Sequence, residues 1–399
     1  MSTDKLPVLN LKRNEDRRLT AGHLWVYSNE VDAKKSPLTG FQPGTLAVIQ
    51  SATGKTLGCG FVNPHSLICA RLLSRRPRQD IDTNFIERRI RSALSLRASL
   101  YDAPCYRLVY GESDGLPGLV IDRYHDVLVV QITTAGMEAI KDIILAVLEQ
   151  LFRPAGLILR NDLPMRVQEG LHQETEILGE VPESIELEEG GVRFEVPLPG
   201  GQKTGWFYDQ RSNRAAMHKY VAGKRVLDVF SYVGAWGLQA AAAGASDVVC
   251  VDAAAQVRPV LERTAAANGL ENTVSLVSGD AFDVLKGLRE AGRKFDVVIV
   301  DPPAFIKRRK DIKAGEQGYA RLNKLAMQVL AADGILISCS CSMHLAGERL
   351  QKILYQAARQ QGRQLQILER GFQGMDHPVH PAITETAYLK ALFCRVPAT

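Results

Sequence analysis

Four stretches in the second half of the chain are apolar at nearly every position: "RVLDVF" (225–230), "DVVCVDA" (247–253), "KFDVVIV" (294–300) and "GILISCSCS" (334–342). A strand with one face in water alternates polar and apolar residues, so strands that are apolar throughout must be covered on both faces. Helical spacing follows or precedes each of them, as over 256–268, and "AYLKALFCRV" (387–396) reads as a final strand. This alternation predicts a doubly wound α/β domain with a mostly parallel sheet over 191–399.

Upstream the rhythm is different. Residues 6–73 read as short alternating β runs, which predicts a small β-barrel over 1–75. Thr53-Gly54-Lys55 predicts a hairpin turn, and Gly58 and Gly60 predict bulges or close backbone approach. "SRRPRQD" (74–80) reads as a linker. Helical spacing at 84–102 and 136–152, a hairpin-like stretch at 106–132 and a β run at 156–160 predict a middle α+β domain over 76–190. Its Glu112-Ser113-Asp114 reads as a turn cap rather than an acid cluster.

Charge separates the two ends. Residues 1–90 hold 14 Lys and Arg against 8 Asp and Glu, whereas the whole 399-residue chain carries only +5. The excess suits either a polyanion-binding surface or a solvated basic face. Seven irregularly spaced cysteines, with no C-x-x-C pair, make neither a disulfide framework nor a metal site and fit a reducing compartment. No apolar run reaches the roughly 18 residues needed to span a bilayer. The expectation is a cytoplasmic protein that uses neither metal nor membrane.

In a doubly wound sheet, ligands bind at the carboxyl ends of the strands where the strand order reverses. The first strand leads into "FSYVGAWG" (230–237), where Gly234 and Gly237 would let backbone approach a ligand. The spacing is not the phosphate-cradling G-x-G-x-x-G, which disfavours a dinucleotide. Asp252 ends the second strand, placed to accept both hydroxyls of a ribose, and Asp280 follows a third strand, placed to take an adenine amino group. A glycine turn with these two acids and no phosphate cradle suits S-adenosylmethionine. "DPPAF" (301–305) closes another strand: Pro302 and Pro303 would stiffen the turn, Asp301 would hydrogen-bond a planar heterocycle, and Phe305 would stack on it.

The cysteines of "SCSCS" fit one chemistry. Carbon 5 of cytosine is a poor nucleophile until a thiolate adds to carbon 6, so an enzyme methylating it needs a cysteine at a strand end facing the cofactor. Cys339 and Cys341 would share a face, and Cys341 lies nearer the carboxyl end. Asp301 would bind the ring edge. Cys250, Cys394, Cys59 and Cys69 read as core thiols.

At these motifs the chain resembles the bacterial 23S ribosomal RNA cytosine-5 methyltransferases of the large-subunit I type. The likeness runs through "HLWVYS", "GESDGLPGLVIDR", "KTGWFYDQR", "VLDVFSYVGAWG", "FDVVIVDPPAF", "ISCSCS" and "DHPV". It implies a PUA domain, a middle α+β domain and a Rossmann-like class I methyltransferase domain, acting on 23S ribosomal RNA. It also implies cofactor contacts at Phe230, Ser231, Tyr232, Gly234, Asp252, Asp280 and Asp301, Cys341 as nucleophile, and Asp209, Gln210 and Arg211 as residues shaping the pocket. Many RNA cytosine-5 methyltransferases carry a second cysteine after the fourth-strand proline; here Pro303-Ala304 stands there, so a water or Asp301 is left to take the carbon 5 proton. Two other readings remain open: an amino-methyltransferase working through "DPPAF", and a non-catalytic RNA-binding module. Monomer and homodimer are both allowed.

Overall fold

The computed structural model describes residues 6–76, 79–201 and 203–397; within the expected linker, Pro77 and Arg78 lie outside the described residues. The chain divides into two compact units. One holds the chain up to residue 183, with 198–206 and 376–386; the other holds 184–197, 207–375 and 387–399.

The N-terminal unit contains two five-stranded sheets. In the first, Thr45–Gln50 pairs with Thr56–Val62 across the expected Thr53-Gly54-Lys55 turn, and Gly54 has φ +83°. Gly58 and Gly60 both border register shifts, and a Cβ on either would lie 2.1 Å from a carbonyl oxygen of the neighbouring strand. Backbone proximity therefore selects glycine there. The second sheet is formed by Cys105–Tyr110, Leu119–Tyr124, Val127–Ile132, Gly156–Arg160 and Thr175–Gly179, backed by the helices Thr83–Leu100 and Lys141–Phe152. The two sheets share one core. Leu46, Phe61 and Leu73 from the first are buried with Phe85, Ile90 and Ile121 of the second part. Asp114 caps its turn by accepting the Tyr110 amide at 2.6 Å and takes a two-pronged ion pair from buried Arg97.

The C-terminal unit is built on seven strands: β1 (Arg225–Val229), β2 (Asp247–Asp252), β3 (Val274–Ser278), β4 (Phe295–Val300), β5 (Leu330–Ser340), β6 (Gln366–Gly371) and β7 (Lys390–Val396). Their order is β3-β2-β1-β4-β5-β7-β6, parallel through β5, with β7 antiparallel to both its neighbours. Helices α1 (Ala235–Ala242), α2 (Val257–Ala267), α3 (Ala281–Glu290), α4 (Ile312–Val329) and α5 (Gly347–Arg359) supply the crossovers and the cover. Val229, Val251, Val298 and Leu336 are buried with Leu322 of α4 and Leu354 of α5. The sheet is built outward from β1 in both directions, so the switch point lies between β1 and β4, where the order reverses.

Two elements of this unit escape the sequence pattern. The hairpin Ser184–Glu189 and Val192–Pro197 belongs to the C-terminal unit, so the expected boundary at 190/191 falls in its Gly190-Gly191 turn. Strand β6 alternates exposed and half-exposed positions at the sheet edge, too polar to be read as a core strand.

Candidate active site

The turn after β1 is the most contorted stretch of the sheet. Phe230 and Tyr232 have φ +69° and +50°, and Gly234 has φ +82°. Left-handed conformations at two bulky residues are costly, about 1–3 kcal/mol each, and such strain gathers at functional sites. The surroundings hold the turn in place. The amides of Phe230 and Ser231 both donate to Val251 O, and the Tyr232 amide donates to Asp252 Oδ2 at 2.8 Å. Gly234 then caps α1, and a Cβ there would lie 2.9 Å from Leu261. Gly237 serves packing rather than ligand approach, contrary to the expectation for it. A Cβ on it would stand 2.4 Å from Cys250 Sγ, and its amide donates to Asp228. Burial pushes the Asp228 carboxyl up to about 8.

The two acids expected to meet a nucleoside sit at successive strand ends. Asp252 Oδ1 accepts the Ala254 amide and Oδ2 the Tyr232 amide, which leaves each oxygen a lone pair. Exposed Asp280 is also the N-cap of α3: Oδ1 accepts the amides of Phe282 and Asp283, and no bond of Oδ2 is seen among the described residues. Capping and ligand binding are therefore compatible in this residue. S-adenosylmethionine fits this side of the site, since the strained turn offers close backbone and both acids keep acceptor capacity.

Beside that turn, the Asp301 amide donates to Val229 O, which joins the ends of β1 and β4. Gln210 donates to both Asp301 oxygens at 3.0 Å, and Trp236 Nε1 donates to Oδ2 at 3.1 Å. The Gln210 amide is oriented in turn by Asn213, whose Nδ2 donates to Gln210 Oε1 at 2.7 Å. Burial pushes the Asp301 carboxyl up to about 6, with Asp209 adding to the rise against the donors and Arg214. Asp209 accepts the Tyr388 hydroxyl on Oδ2 at 2.5 Å, and its buried Oδ1 has no hydrogen-bond partner among the described residues. Arg211 is turned elsewhere: it pairs with Glu189 and lies over the Tyr208 ring. Burial works against the Glu189 charge, but Arg214, Arg211 and Gln239 more than offset it and hold that carboxyl at about 2.

Cys341 lies just past the end of β5, with its thiol 3.9 Å from Pro302 O. The flanking serines hold the cysteine in place. Ser340 Oγ donates to the Tyr319 hydroxyl, which shares a second hydrogen bond with Ser342 Oγ, each at 2.9 Å. Ser342 Oγ also accepts the Ile306 amide at 3.1 Å, tying the cysteine turn to the end of "DPPAF". Phe305 packs against Tyr319 with ring centroids 4.8 Å apart, and Pro303 is exposed. Cys339 lies toward Gln210 and Asp301 instead and is fully buried, and burial drives its thiol well above the ordinary range. All seven cysteines are free, and Cys341 alone is not buried.

Sequence reasoning missed Trp236, Asn213, Tyr319, Tyr388 and Lys390 around this site. Lys390 was visible as the one charge opening an apolar terminal run, and Trp236 lay inside the quoted turn; the rest required the fold.

The N-terminal unit has a different feature, a cavity of about 620 Å³ lined by Arg75, Arg76 and Arg89. Arg75 donates to Leu19 O and His23 O, and half-buried Arg89 donates to Leu73 O. The carboxylates on its wall are engaged, Glu112 with Trp25 Nε1 and Asp114 with Arg97. Among the described residues no helix is long and apolar enough to cross a membrane.

Comparison with known proteins agrees with this layout. Residues 119–395 match the S-adenosylmethionine-dependent methyltransferase family, and residues 9–75 match a PUA-like domain. Ribosomal RNA large subunit methyltransferase I of Photobacterium profundum is 37% identical over 394 residues, covering 97% of this chain and 98% of its own length. The Aeromonas hydrophila protein of the same name is 38% identical over 393 residues, covering 96% and 98%. The crystal structure of SMU.776 complexed with SAH shares the fold at a TM-score of 0.84 and 23% identity, over 98% of this chain and 100% of that one. The chain belongs to the ribosomal RNA large subunit methyltransferase I family, S-adenosylmethionine-dependent methyltransferases that carry a PUA-like domain.

Proposed function

We propose that this enzyme methylates carbon 5 of a cytosine in 23S ribosomal RNA through a covalent bond between Cys341 and carbon 6 of the ring. The observation that carries this reading is Cys341 itself, the one thiol not buried, set beside the backbone of the Asp301-Pro302 turn. The name shared by its relatives supports ribosomal RNA as the substrate, and a cytoplasmic setting follows from that substrate.

Bound S-adenosylmethionine supplies an electrophilic methyl group on a sulfonium. The turn at Phe230, Ser231, Tyr232 and Gly234 gives it backbone contact, Asp252 the ribose acceptor and Asp280 an acceptor for the adenine amino group. Asp301, steadied by Gln210 and Trp236, holds the edge of the cytosine, within a pocket that Pro302, Pro303, Phe305 and Asp209 help to shape. As Sγ of Cys341 bonds to carbon 6, the ring double-bond electrons move to carbon 5, which takes the methyl group. Carbon 5 then loses its proton to Asp301 or to a water held there, and the thiolate leaves. Bisulfite mapping of ribosomal RNA from a strain lacking the gene tests this: one cytosine should lose its protection. An unchanged map overturns the cytosine assignment.

Cofactor binding should depend on Asp252. Removing the whole side chain would free the amides of both Tyr232 and Ala254, whereas Asp252→Asn keeps an acceptor for one of them and is the milder change. Losing charge-assisted bonds to two hydroxyls should weaken S-adenosylmethionine by about 1.5–3 kcal/mol in calorimetry without RNA. Unchanged affinity would remove Asp252 from the site.

We assign RNA recruitment to residues 1–75, helped by the arginine-lined cavity. Truncating this part would expose the core it shares with the helix Thr83–Leu100, so charge reversal tests the idea better than deletion. Arg75→Glu with Arg89→Glu should weaken RNA binding about tenfold or more at low salt. The slope of log affinity against log salt should flatten by roughly 0.7 for each phosphate that the variant no longer neutralises, with S-adenosylmethionine affinity unchanged. Equal slopes in both proteins would sink the assignment.

A further inference from the structure

Lys390 opens β7 directly opposite Ser340, the last residue of β5 and the residue before Cys341. Its side chain lies along Gly347, whose would-be Cβ is 3.6 Å from Lys390 Cγ. The amine ends on two carbonyl oxygens, Ser342 O at 2.6 Å and Tyr388 O at 2.8 Å. One of these belongs to the residue after Cys341, so the ammonium is pinned to the turn that carries the thiol. Among the described residues no carboxylate forms an ion pair with Lys390, although it is half-buried. An ammonium has three N–H groups, so one remains after the two carbonyls are served. A partly buried cation without an acid partner is costly, and a nearby anion relieves that cost.

We propose that Lys390 is the positioning cation of Cys341, the fixed positive charge that keeps its sulfur as a thiolate before RNA arrives. In the ionising step the S–H bond breaks and, when the amine starts neutral, an N–H bond forms on Lys390; otherwise the proton goes to water. No oxidant or other reactant is needed. The proposal rests on Cys341 being the reacting thiol and not on which base it attacks.

Among the described residues, the groups seen to face this turn do not replace Lys390. Tyr319 of α4 is held by Ser340 and Ser342, and burial raises its hydroxyl pKa, so it stays neutral. Cys339 of β5 is buried and neutral at ordinary pH. Asp301 and Asp209, whose charges act on Cys339, are negative and oppose a thiolate nearby. His344 has no side-chain hydrogen bond among the described residues. Burial outweighs the charge of Cys341, which acts to raise it, and brings the Lys390 ammonium down to about 8.

The test is the pH profile of Cys341 alkylation by iodoacetamide in the full-length protein, with the modified residue located by peptide mass spectrometry. Wild-type protein should alkylate with a midpoint below the free-cysteine value of about 8.5. Lys390→Gln, which can still donate to carbonyls, should raise the midpoint and slow alkylation at pH 7 about tenfold. Lys390→Arg should keep the low midpoint. S-adenosylmethionine binding by calorimetry checks that each variant is folded. A wild-type midpoint at or above 8.5 overturns the proposal whatever the variants do, and so does a folded Lys390→Gln with the wild-type profile. A Lys390→Arg protein that behaves like the Gln variant also overturns it, since charge is then not the cause. If the profiles shift as expected but Cys341→Ala still methylates RNA, the ion pair stands and the covalent mechanism fails.

Discussion

Cys341→Ala should reduce methylation by roughly 10⁴-fold or more, the scale of losing a nucleophile for which nothing else in the site can substitute. RNA carrying 5-fluorocytosine should trap wild-type protein covalently, because fluorine cannot leave carbon 5 as a proton does. The Cys341→Ala variant should show no such band on a denaturing gel. Cys339→Ala is the control. Its thiol is fully buried and held neutral, so it should retain methylation and trapping. It should lose only modest stability, about 1 kcal/mol for the small cavity left. If the trap follows Cys339 instead, the wrong thiol has been assigned. If neither substitution matters, the chemistry is not covalent, and methylation of an exocyclic amine through "DPPAF" becomes the better account.

The catalytic sheet was legible because its strands are apolar on both faces, a pattern that leaves few alternatives. The edge strand β6 was not, since "QILERG" is largely exposed and looks like loop. The hairpin at 184–197 was missed for a related reason: its charged outward positions conceal a buried row of Leu187, Val192, Phe194 and Val196. At the site, residues adjacent to a motif were found and residues brought in from afar were not. "DPPAF" and "SCSCS" announce themselves, but the hydroxyl of Tyr319 and the amine of Lys390 come from an ordinary helix and the last strand. Nothing in "SCSCS" itself marks a role for the serines; the hydrogen bonds of Ser340 and Ser342 to Tyr319 and the Ile306 amide make them anchors of the cysteine.

Asp301→Asn should move activity and stability in opposite directions. The carboxyl is raised to about 6, chiefly by burial, so in the wild-type enzyme it gains a proton as pH falls through that value. If the carboxylate is the working form, kcat/KM should fall below about pH 6 and level off above it. The variant should lack that acid limb and run about 10²–10⁴-fold slower on the plateau, the usual worth of a placed acid–base group. Stability goes the other way. A carboxyl whose folded pKa lies above its unfolded value of 3.8 favours the folded state below 3.8, and that contribution is lost as pH rises through 6. At pH 7.5 the buried charge of Asp301 is therefore a net cost. Its removal should raise unfolding stability by about 1–3 kcal/mol, reduced by the new amide facing Gln210 Nε2. At pH 4, where the wild-type carboxyl is already protonated, the gain should nearly vanish. Chemical denaturation at the two pH values, beside the rate profile, separates a working carboxylate from a structural one. A structural Asp301 would lose stability on substitution at both pH values, and its rate loss would follow the unfolding.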